Sequence, residues 1–318
     1  MRRVHAIRLH AFGPPESLRH EELPDLLPGP GEVRIAVEAA GVHLIDATIR
    51  RGVAMGPIPL PSLPAIPGRE VAGRVDAVGD GVDATWVGRR AVAHFGPHGS
   101  GGYAEQAVVD VARVHALDVD DAGGVLSAEV AVTAIGTGRT AQLILDAAVI
   151  GPDDVVLVPA AAGGLGPLLV QAARAAGATV IAVAGGPEKV ALAASFGPSL
   201  ALDHREPGWP TRVPGPLTLV LDSVGGDVGA AARSLLAPGG RAVVIGGRAG
   251  AGSARDDITY VPLAPPADIR PLEARALAAF ATGALRPNLH PAFALADAAA
   301  AHAALESRAT AGKVVLKP

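Results

Sequence analysis

Residues 155–189 read VVLVPAAAGGLGPLLVQAARAAGATVIAVAGGPEK, and the architecture of the second half of the chain follows from their pattern. The apolar run at 155–158 is typical of a buried strand, the Ala-rich run at 165–176 of a helix, and residues 179–183 of a second strand. A glycine-rich turn, residues 160–166, joins the first strand to the helix. This order predicts a βαβ unit with parallel strands.

The same alternation extends beyond this stretch. A helical pattern at 133–148 precedes it, and strand-like and helical runs then alternate toward the C-terminus. The further strand runs are 200–202, 217–221, 242–245 and 257–261, and the further helical runs are 188–196 and 228–236. Strands that alternate with helices of about 10–15 residues predict a doubly wound parallel sheet, so the fold class is α/β.

The turn AAAGGLG at 160–166 carries the first functional prediction. Glycines at this place allow positive φ angles and let backbone N–H groups approach a pyrophosphate, and the following helix directs the positive end of its dipole at the phosphates. We therefore predict that four residues of the turn bind a dinucleotide: Ala162, Gly163, Gly164 and Leu165. The alternative is a tight turn between a strand and a helix, without a ligand.

The end of the second strand distinguishes NADP from NAD. An NAD site usually has Asp or Glu at this position to bind the ribose hydroxyls, whereas residues 184–187 read AGGP. The space at Gly185 and the absence of a negative charge suit a 2′-phosphate, for which Lys189 supplies a cation. His204 and Arg205 are a second candidate pair. The sequence therefore favours NADPH, with a solvated helix residue as the alternative interpretation of Lys189.

The first half of the chain is predicted to be an irregular β-rich domain. Residues 33–39 alternate between apolar and polar side chains, which is the pattern of a half-buried strand, and residues 71–77 repeat it. The Pro-rich run at 56–64 excludes a helix or a central strand at that place. A helical pattern at 272–282 and a strand at 313–316 are predicted to return to this first domain.

The composition excludes several classes of function. With 318 residues the chain is long enough for two domains, and its net charge of −4 and scattered arginines argue against a nucleic-acid partner, which needs clustered Lys and Arg. Because the chain has no cysteine, it has no disulfide, no thiolate zinc site and no cysteine nucleophile. It also lacks the Gly-x-Ser-x-Gly elbow of hydrolases and a P-loop.

The sequence predicts a cytoplasmic protein without membrane contact. Its first residues, MRRVHAIR, are basic but lack the apolar run of a signal peptide. Residues 155–173 contain no charged residue. Their prolines and glycines, and the change from a strand-like to a helical pattern, indicate a strand, a turn and a helix rather than a membrane-spanning helix.

Seven motifs along the chain carry a resemblance to a known superfamily. They are GVHLID at 41–46, IPGREVAG at 66–73, GGYAE at 101–105, GRTA at 138–141, the turn at 160–166, DSVGG at 222–226 and GKVVL at 312–316. In this order they resemble the medium-chain dehydrogenase/reductase superfamily, specifically its zinc-independent quinone oxidoreductase (zeta-crystallin-like) branch. The resemblance implies a GroES-like catalytic domain, residues 1–124 and 268–318, and a Rossmann NADPH-binding domain, residues 125–267.

The resemblance also implies the chemistry, which is hydride transfer from NADPH to a quinone or an α,β-unsaturated carbonyl compound. Zinc-dependent relatives have a histidine ligand where this chain has Arg69, and no cysteine is available to complete such a site. His94 and His98 lie in a Gly-rich run, residues 94–103, and we interpret them as surface histidines. We therefore predict no metal site.

Four further cofactor contacts are implied by the resemblance alone. Thr140 is expected at the nicotinamide end of the cofactor, and Gly246 and Gly247 are expected to line the same end. The turn at Val224 is expected to pass near the cofactor.

Two positions depart from the family pattern and are our candidate catalytic residues. His43 stands where the family usually has Asn, and Thr48 where it usually has Tyr; in the family these residues border the nicotinamide and the acceptor. His43 can exchange a proton near neutral pH, so it either contacts the acceptor as Asn would or acts as a general acid. A structural hydrogen-bonding role is the alternative. The missing Tyr leaves the acceptor preference open.

Two other functions remain open. One is an enoyl-thioester reductase, and the other is a non-catalytic, NADPH-binding, crystallin-like protein. The resemblance further implies a homodimer formed by pairing of the last Rossmann strand, for which residues 257–260 are the candidate edge.

Overall fold

A computed structural model of the chain describes residues 3–54, 58–96, 99, 101–117, 126–245 and 255–318. The strands are β1 Arg3–Leu9, β2 Leu18–Pro24, β3 Glu32–Val42, β4 Glu70–Val78, β5 Arg90–His94, β6 Gln106–Asp110, β7 Val114–Ala116, β8 Val155–Pro159, β9 Thr179–Ala184, β10 Leu200–Asp203, β11 Leu217–Asp222, β12 Leu236–Val244, β13 Thr259–Val261, β14 Phe293–Ala294 and β15 Val314–Lys317. The α-helices are α1 Leu44–Arg50, α2 Ala128–Thr133, α3 Arg139–Ala148, α4 Gly166–Ala175, α5 Pro187–Ala194, α6 Gly226–Ser234, α7 Arg270–Ala281 and α8 Ala298–Glu306. A π-helix, Ala134–Gly138, interrupts the predicted helix at 133–148.

The chain forms two compact units. The first unit consists of residues 1–136, 273–282 and 289–318, and the second of residues 137–272 and 283–288. The domain limits expected from the sequence, at 124/125 and 267/268, stay predictions.

The second unit contains a six-stranded sheet in the order β10-β9-β8-β11-β12-β13. All of its strand pairs are parallel. The strand order reverses between β8 and β11, because the chain proceeds from β8 outward to β9 and β10 and from β11 outward to β12 and β13. This confirms the predicted doubly wound Rossmann sheet, in which ligands bind outside the carboxyl ends of the strands at the reversal.

The central strands of this sheet are buried on both faces. Val156, Leu157 and Val158 of β8 have no exposed surface. Helices cover both faces of a doubly wound sheet, so its inner strands need apolar side chains on both sides, and a continuous apolar run replaces alternation. The uncharged stretch 155–173 is therefore β8, a turn and most of α4, and no described helix is long and apolar enough to span a membrane.

The first unit contains a seven-stranded sheet in the order β14-β15-β3-β4-β5-β7, in which β6 also pairs with β3, and a separate ribbon of β1 and β2. Strand β3 has the predicted alternation, since Val33 and Ile35 are fully buried and Arg34 is half-buried. The C-terminal strand β15 is antiparallel to β3, with Val314 opposite Val42. This register places residue 313 beside residue 43.

One histidine of this unit is buried, although the sequence predicted it at the surface. His94 ends β5 and is 5% exposed, so its interpretation as a surface histidine is wrong. In the antiparallel register of β4 and β5, His94 stands opposite Glu70, which is itself fully buried. Its Nδ1 atom accepts a hydrogen bond from the N–H of Gly96 at 2.9 Å. His98 lies outside the described residues.

Candidate active site

The turn between β8 and α4 has a different backbone from the one expected. Its positive φ angle is at Ala160 (+54°), whereas Gly163 and Gly164 have none, so the expectation that these glycines supply positive φ is wrong. Gly166 is required because a Cβ atom there would lie 2.4 Å from the carbonyl oxygen of Ala160 and 2.7 Å from the Cα of Ala161. Helix α4 thus begins directly against the turn, which is the close packing that a dinucleotide-binding motif needs.

The N-terminus of α4 has no side-chain cap. Leu165 precedes the helix. The N–H of Ala161 donates to the carbonyl oxygen of Val183 at 3.0 Å, which fixes the turn against β9. The predicted residues Ala162, Gly163, Gly164 and Leu165 therefore stand together at a helix N-terminus, where backbone N–H groups and the helix dipole favour a phosphate group.

A basic pair lies over the glycines that follow β9. A Cβ atom on Gly185 would lie 2.7 Å from Nε2 of His204, and one on Gly186 would lie 3.0 Å from Nη1 of Arg205. The Oδ1 atom of Asp203 holds this arrangement, because it accepts the N–H groups of Gly186 and Arg205, both at 2.9 Å. The structure therefore brings Gly185 together with His204 and Arg205, the second candidate pair of the sequence analysis.

The other predicted cofactor residues occupy three separate places. Lys189 lies in the first turn of α5, the helix that Gly186 precedes. The N–H of Val224 donates to Oδ1 of Asp222 at 3.0 Å, just after β11. Thr140 is half-buried in the first turn of α3. Gly246 and Gly247 lie outside the described residues.

In the first unit, three ionisable side chains meet around one oxygen atom, and we call His43, Glu70 and Lys313 the His43 cluster. Oε1 of Glu70 lies 2.7 Å from Nε2 of His43 and 3.0 Å from Nζ of Lys313. The two nitrogen atoms are 2.7 Å apart. Glu70 has no exposed surface, Lys313 is 4% exposed and the His43 side chain is 24% exposed. His43 is therefore the member of the cluster that reaches the surface.

The charges of the cluster keep Glu70 ionised. Burial alone would raise the pKa of Glu70, but the charges of His43 and Lys313 and the hydrogen bond with His43 outweigh it and hold the pKa well below its ordinary value. A buried carboxylate of this kind is stable only while it is paired. Of these three residues only His43 was predicted from the sequence; the only sequence signal of Glu70 and Lys313 is that each stands in one of the seven motifs.

Two glycines make room for the Glu70 carboxylate. A Cβ atom on Gly41 would lie 2.0 Å from Oε1, and a Cβ atom on Gly136 would lie 2.0 Å from Oε2 and 2.4 Å from Cδ. The side chain of Glu70 cannot move away without leaving His43 and Lys313. Glycine at these positions is therefore part of the site.

We expect Gly136→Ala to lower the free energy of unfolding by about 1–3 kcal/mol, as overpacking in a core does. The added methyl group displaces the carboxylate of Glu70 from its partners. Urea denaturation measures the change, and Gly151→Ala is the matched control, because nothing lies within 4 Å of a Cβ at that position. Equal stability of the two variants would show that the cluster tolerates the displacement.

A second buried network holds the start of α1, a helix that the sequence analysis did not predict. The backbone N–H of His43 donates to Oδ2 of Asp46 at 2.8 Å, and the hydroxyl of Tyr103 donates to the same oxygen at 3.2 Å. Nε2 of His302 lies 3.1 Å from this hydroxyl. Burial raises the pKa of Tyr103, as does Asp46, and burial lowers the pKa of His302 to about 4. Both side chains are thus neutral at neutral pH and fix the helix start.

Thr48 lies one turn further along α1. Its hydroxyl donates to the carbonyl oxygen of Leu44 at 3.0 Å, and the side chain is 9% exposed. The hydroxyl is therefore used within the helix.

Family models match both halves of the chain. The model described as alcohol dehydrogenase GroES-like domain matches residues 29–119, and the one described as zinc-binding dehydrogenase matches residues 196–316.

Individual relatives match over the full length. A quinone oxidoreductase of Pseudomonas aeruginosa is 33% identical, over 98% of this chain and 99% of its own length. A 2-haloacrylate reductase of Burkholderia is 30% identical, over 99% of both chains. The crystal structure of Escherichia coli quinone oxidoreductase complexed with NADPH has a TM-score of 0.85 and 28% identity, over 99% of this chain and 100% of that chain.

Proposed function

This chain belongs to the quinone oxidoreductase branch of the medium-chain dehydrogenase/reductase superfamily, and we propose from this premise that it is a zinc-independent, NADPH-dependent reductase. Its acceptor is a quinone or an α,β-unsaturated carbonyl compound. Relatives named for quinones and for 2-haloacrylate support both acceptor classes.

One observation carries the cofactor assignment: the uncapped N-terminus of α4 follows β8, and the pair His204 and Arg205, which follows β10, lies over the glycines at the carboxyl end of β9, the strand between β8 and β10. The helix N-terminus suits the pyrophosphate, and the basic pair with Lys189 suits a 2′-phosphate. The strand end lacks the acid that would bind the free 2′-hydroxyl of NAD. NADPH, when bound, supplies the hydride.

We propose that the reaction needs no zinc. The chain has no cysteine, and Arg69 stands where zinc-dependent relatives have a histidine ligand. Nη2 of Arg69 donates to the carbonyl oxygen of Gly96 at 3.3 Å, so the side chain serves the local fold. His43 replaces the family Asn, and we propose that it contacts the acceptor and donates a proton to it, with Thr48 leaving space at its side.

Titration of the purified protein with NADPH and with NADH, followed by the fluorescence of the reduced nicotinamide, tests this proposal. We expect NADPH to bind about tenfold or more tightly, the effect of one charge-assisted hydrogen bond to the 2′-phosphate. Oxidation of bound NADPH by benzoquinones, enones and 2-haloacrylates then identifies the acceptor class. Equal affinity for NADH would contradict the cofactor assignment, and NADPH binding without turnover would favour a non-catalytic binding protein.

The homodimer stays a prediction. Strand β13 is the edge of the Rossmann sheet, and Tyr260 on it is 42% exposed. Exposed edges of this kind favour pairing with a second copy.

A further inference from the structure

We propose that Asp222 and Arg233 are positioning residues for the nicotinamide half of NADPH, an inference that rests on the proposed reductase function. The two side chains are buried and act through the turn that follows strand β11, residues 222–226, which we call the β11 turn. The inference goes beyond the expected passage of Val224 near the cofactor. It says which side chains fix this turn, which of its atoms face the cofactor and how their loss affects hydride transfer.

The β11 turn lies where a doubly wound sheet binds its ligand. Strand β11 is the neighbour of β8 and the strand order reverses between the two, so the turns at their carboxyl ends border the ligand crevice. The proposed ligands of the 2′-phosphate lie at the end of β9, and the start of α4, proposed for the pyrophosphate, follows β8. Neighbouring strands are about 4.8 Å apart. A cofactor that extends in this direction therefore reaches β11 with its nicotinamide half.

The carboxylate of Asp222 sets the direction of two peptide groups in the β11 turn. Asp222 has no exposed surface, and its Oδ1 atom accepts the N–H of Val224 at 3.0 Å and the N–H of Gly225 at 2.8 Å. Because the N–H and C=O of a trans peptide point in opposite directions, the carbonyl oxygens of Ser223 and Val224 point away from the carboxylate. Among the described residues, no backbone N–H donates to either oxygen.

These two carbonyl oxygens match one half of the cofactor. A carbonyl oxygen only accepts hydrogen bonds, and the nicotinamide half offers donors in its ribose hydroxyls and its carboxamide NH₂ group, whereas the phosphate groups offer acceptors. Asp227, in the first turn of α6, adds a negative charge that disfavours a phosphate here. The β11 turn therefore suits the nicotinamide riboside, and its position affects how closely the ring approaches the acceptor.

Arg233 of α6 holds the other side of the same carboxylate. Its Nη1 atom donates to Oδ2 of Asp222, and its side chain is buried. Helix α6 leaves room for this pair at Gly229, where a Cβ atom would lie 2.2 Å from Oδ2. Gly225 has φ +61° and ψ −156°, a conformation that is essentially restricted to glycine. One oxygen of the carboxylate thus holds the turn and the other holds the helix that follows it.

The test is Asp222→Asn, which keeps the size of the side chain. A carboxylate has two acceptor oxygens, whereas an amide has one oxygen and one NH₂ group, so the amide cannot accept from the turn and from Arg233 together. We expect hydride transfer from bound NADPH to a benzoquinone or an enone, whichever the wild type reduces, to slow by about 100-fold in a single turnover, the effect of displacing a reacting group by about 1 Å. The Kd for adenosine 2′,5′-bisphosphate, which carries the 2′-phosphate but no nicotinamide, should be unchanged.

A second substitution should restore the turn. In Asp222→Asn/Arg233→Met the guanidinium is gone, so the amide can present its oxygen to the N–H groups of Val224 and Gly225. We expect hydride transfer to be about tenfold faster or more than in Asp222→Asn, a non-additive effect of the kind that contacting residues show. A role confined to the stability of the fold changes the urea midpoint but not the single-turnover rate of the folded enzyme, so this recovery separates the two roles.

Asp154→Asn is the matched control, because Asp154 also joins a backbone N–H to an arginine in the same sheet. Its Oδ2 atom accepts the N–H of Gly151 at 2.9 Å, and its Oδ1 atom lies 2.8 Å from Nη2 of Arg241. Asp154 directly precedes β8, so it stands at the amino edge of the parallel sheet, opposite the crevice. We expect Asp154→Asn to lower the urea midpoint and to leave the single-turnover rate and the Kd for the bisphosphate unchanged.

Three outcomes would overturn the proposal: an unchanged hydride-transfer rate in Asp222→Asn, a double variant no faster than the single one, or a bisphosphate affinity that falls together with the rate. If Asp222→Asn does not fold, Asp222→Asn/Arg233→Met is compared with Asp222→Ala/Arg233→Met, since neither leaves a buried charge unpaired. The alanine variant lacks the acceptor for the turn and should be about 100-fold slower; equal rates would overturn the proposal. Failure of the proposed function is distinguishable, because the wild type would then not bind NADPH, or would bind it and reduce neither a benzoquinone nor an enone.

Discussion

Replacement of Glu70 by Gln is expected to lower the free energy of unfolding by about 3–5 kcal/mol, the cost of removing one partner from a buried ion pair. The substitution keeps the volume of the side chain but leaves the ammonium of Lys313, 4% exposed, without its carboxylate. Urea denaturation at pH 7 measures the loss. Glu22→Gln is the control, since its ion pair with Arg3 is exposed and is worth about 0–1 kcal/mol. Equal stability of the two variants would contradict the role of Glu70.

The ion pair of Glu70 and Lys313 also predicts how the free energy of unfolding depends on pH. The pKa of Glu70 in the folded protein lies below its ordinary value of 4.5. A carboxyl group with a lowered pKa stabilises the fold fully above its unfolded pKa, and this contribution is lost as the pH falls through the folded pKa. The wild type should therefore lose more stability below pH 4.5 than Glu70→Gln, and the difference between the two proteins should shrink there. A difference in unfolding free energy between the wild type and Glu70→Gln that stays constant down to pH 3 would contradict the ion pair of Glu70 with Lys313.

Arg205→Gln is expected to raise the Kd for NADPH by about ten- to a hundredfold and to leave the Kd for NADH unchanged, because a charge-assisted hydrogen bond to the 2′-phosphate is lost. This prediction rests on the position of the Arg205 guanidinium, whose Nη1 would lie 3.0 Å from a Cβ atom on Gly186. The hydrogen bond from the backbone N–H of Arg205 to Oδ1 of Asp203 holds the residue in this place. Added salt should reduce the difference, since the site is exposed. Fluorescence titration of both cofactors measures the two constants.

Arg212→Gln is the matched control for Arg205→Gln. This arginine follows β10 as Arg205 does, but it is paired with Glu206 at the surface. We expect it to change neither Kd. Equal weakening of NADPH and NADH by Arg205→Gln would place the side chain at a part of the cofactor that both molecules share, and no weakening would leave Lys189 and His204 as the phosphate ligands.

Local sequence was sufficient for the second unit. The apolar run at 155–158, the turn and the strand at 179–183 lie within 35 consecutive residues, and each forms its element through its own periodicity and backbone freedom. Parallel strands joined by helices have few arrangements, so the alternation along the chain was enough to predict the doubly wound sheet, which the structure confirms. The glycine-rich turn likewise marked the start of α4, where the cofactor residues are proposed, although Gly166 is required by contact with the backbone of Ala160 rather than by positive φ.

The first unit was predicted less completely. Its alternating strands were recognised, but α1 has only seven residues and begins inside a motif that follows a strand, so no helical period could be counted. Similarly, His94 was assigned to a surface loop from the glycines around it, whereas it ends β5 opposite the buried Glu70 and is itself buried.

The sequence by itself determined the fold class, the family and the chemical types at the site, because periodicity, turn residues and motifs are local properties of the chain. Only the tertiary structure decided which of those residues meet. His43 contacts Glu70 across 27 residues of sequence and Lys313 across 270, and the antiparallel register of β15 on β3 brings the lysine to the histidine. The ion pairing of this trio depends on distances and burial that arise when distant strands pair, and no local pattern encodes them.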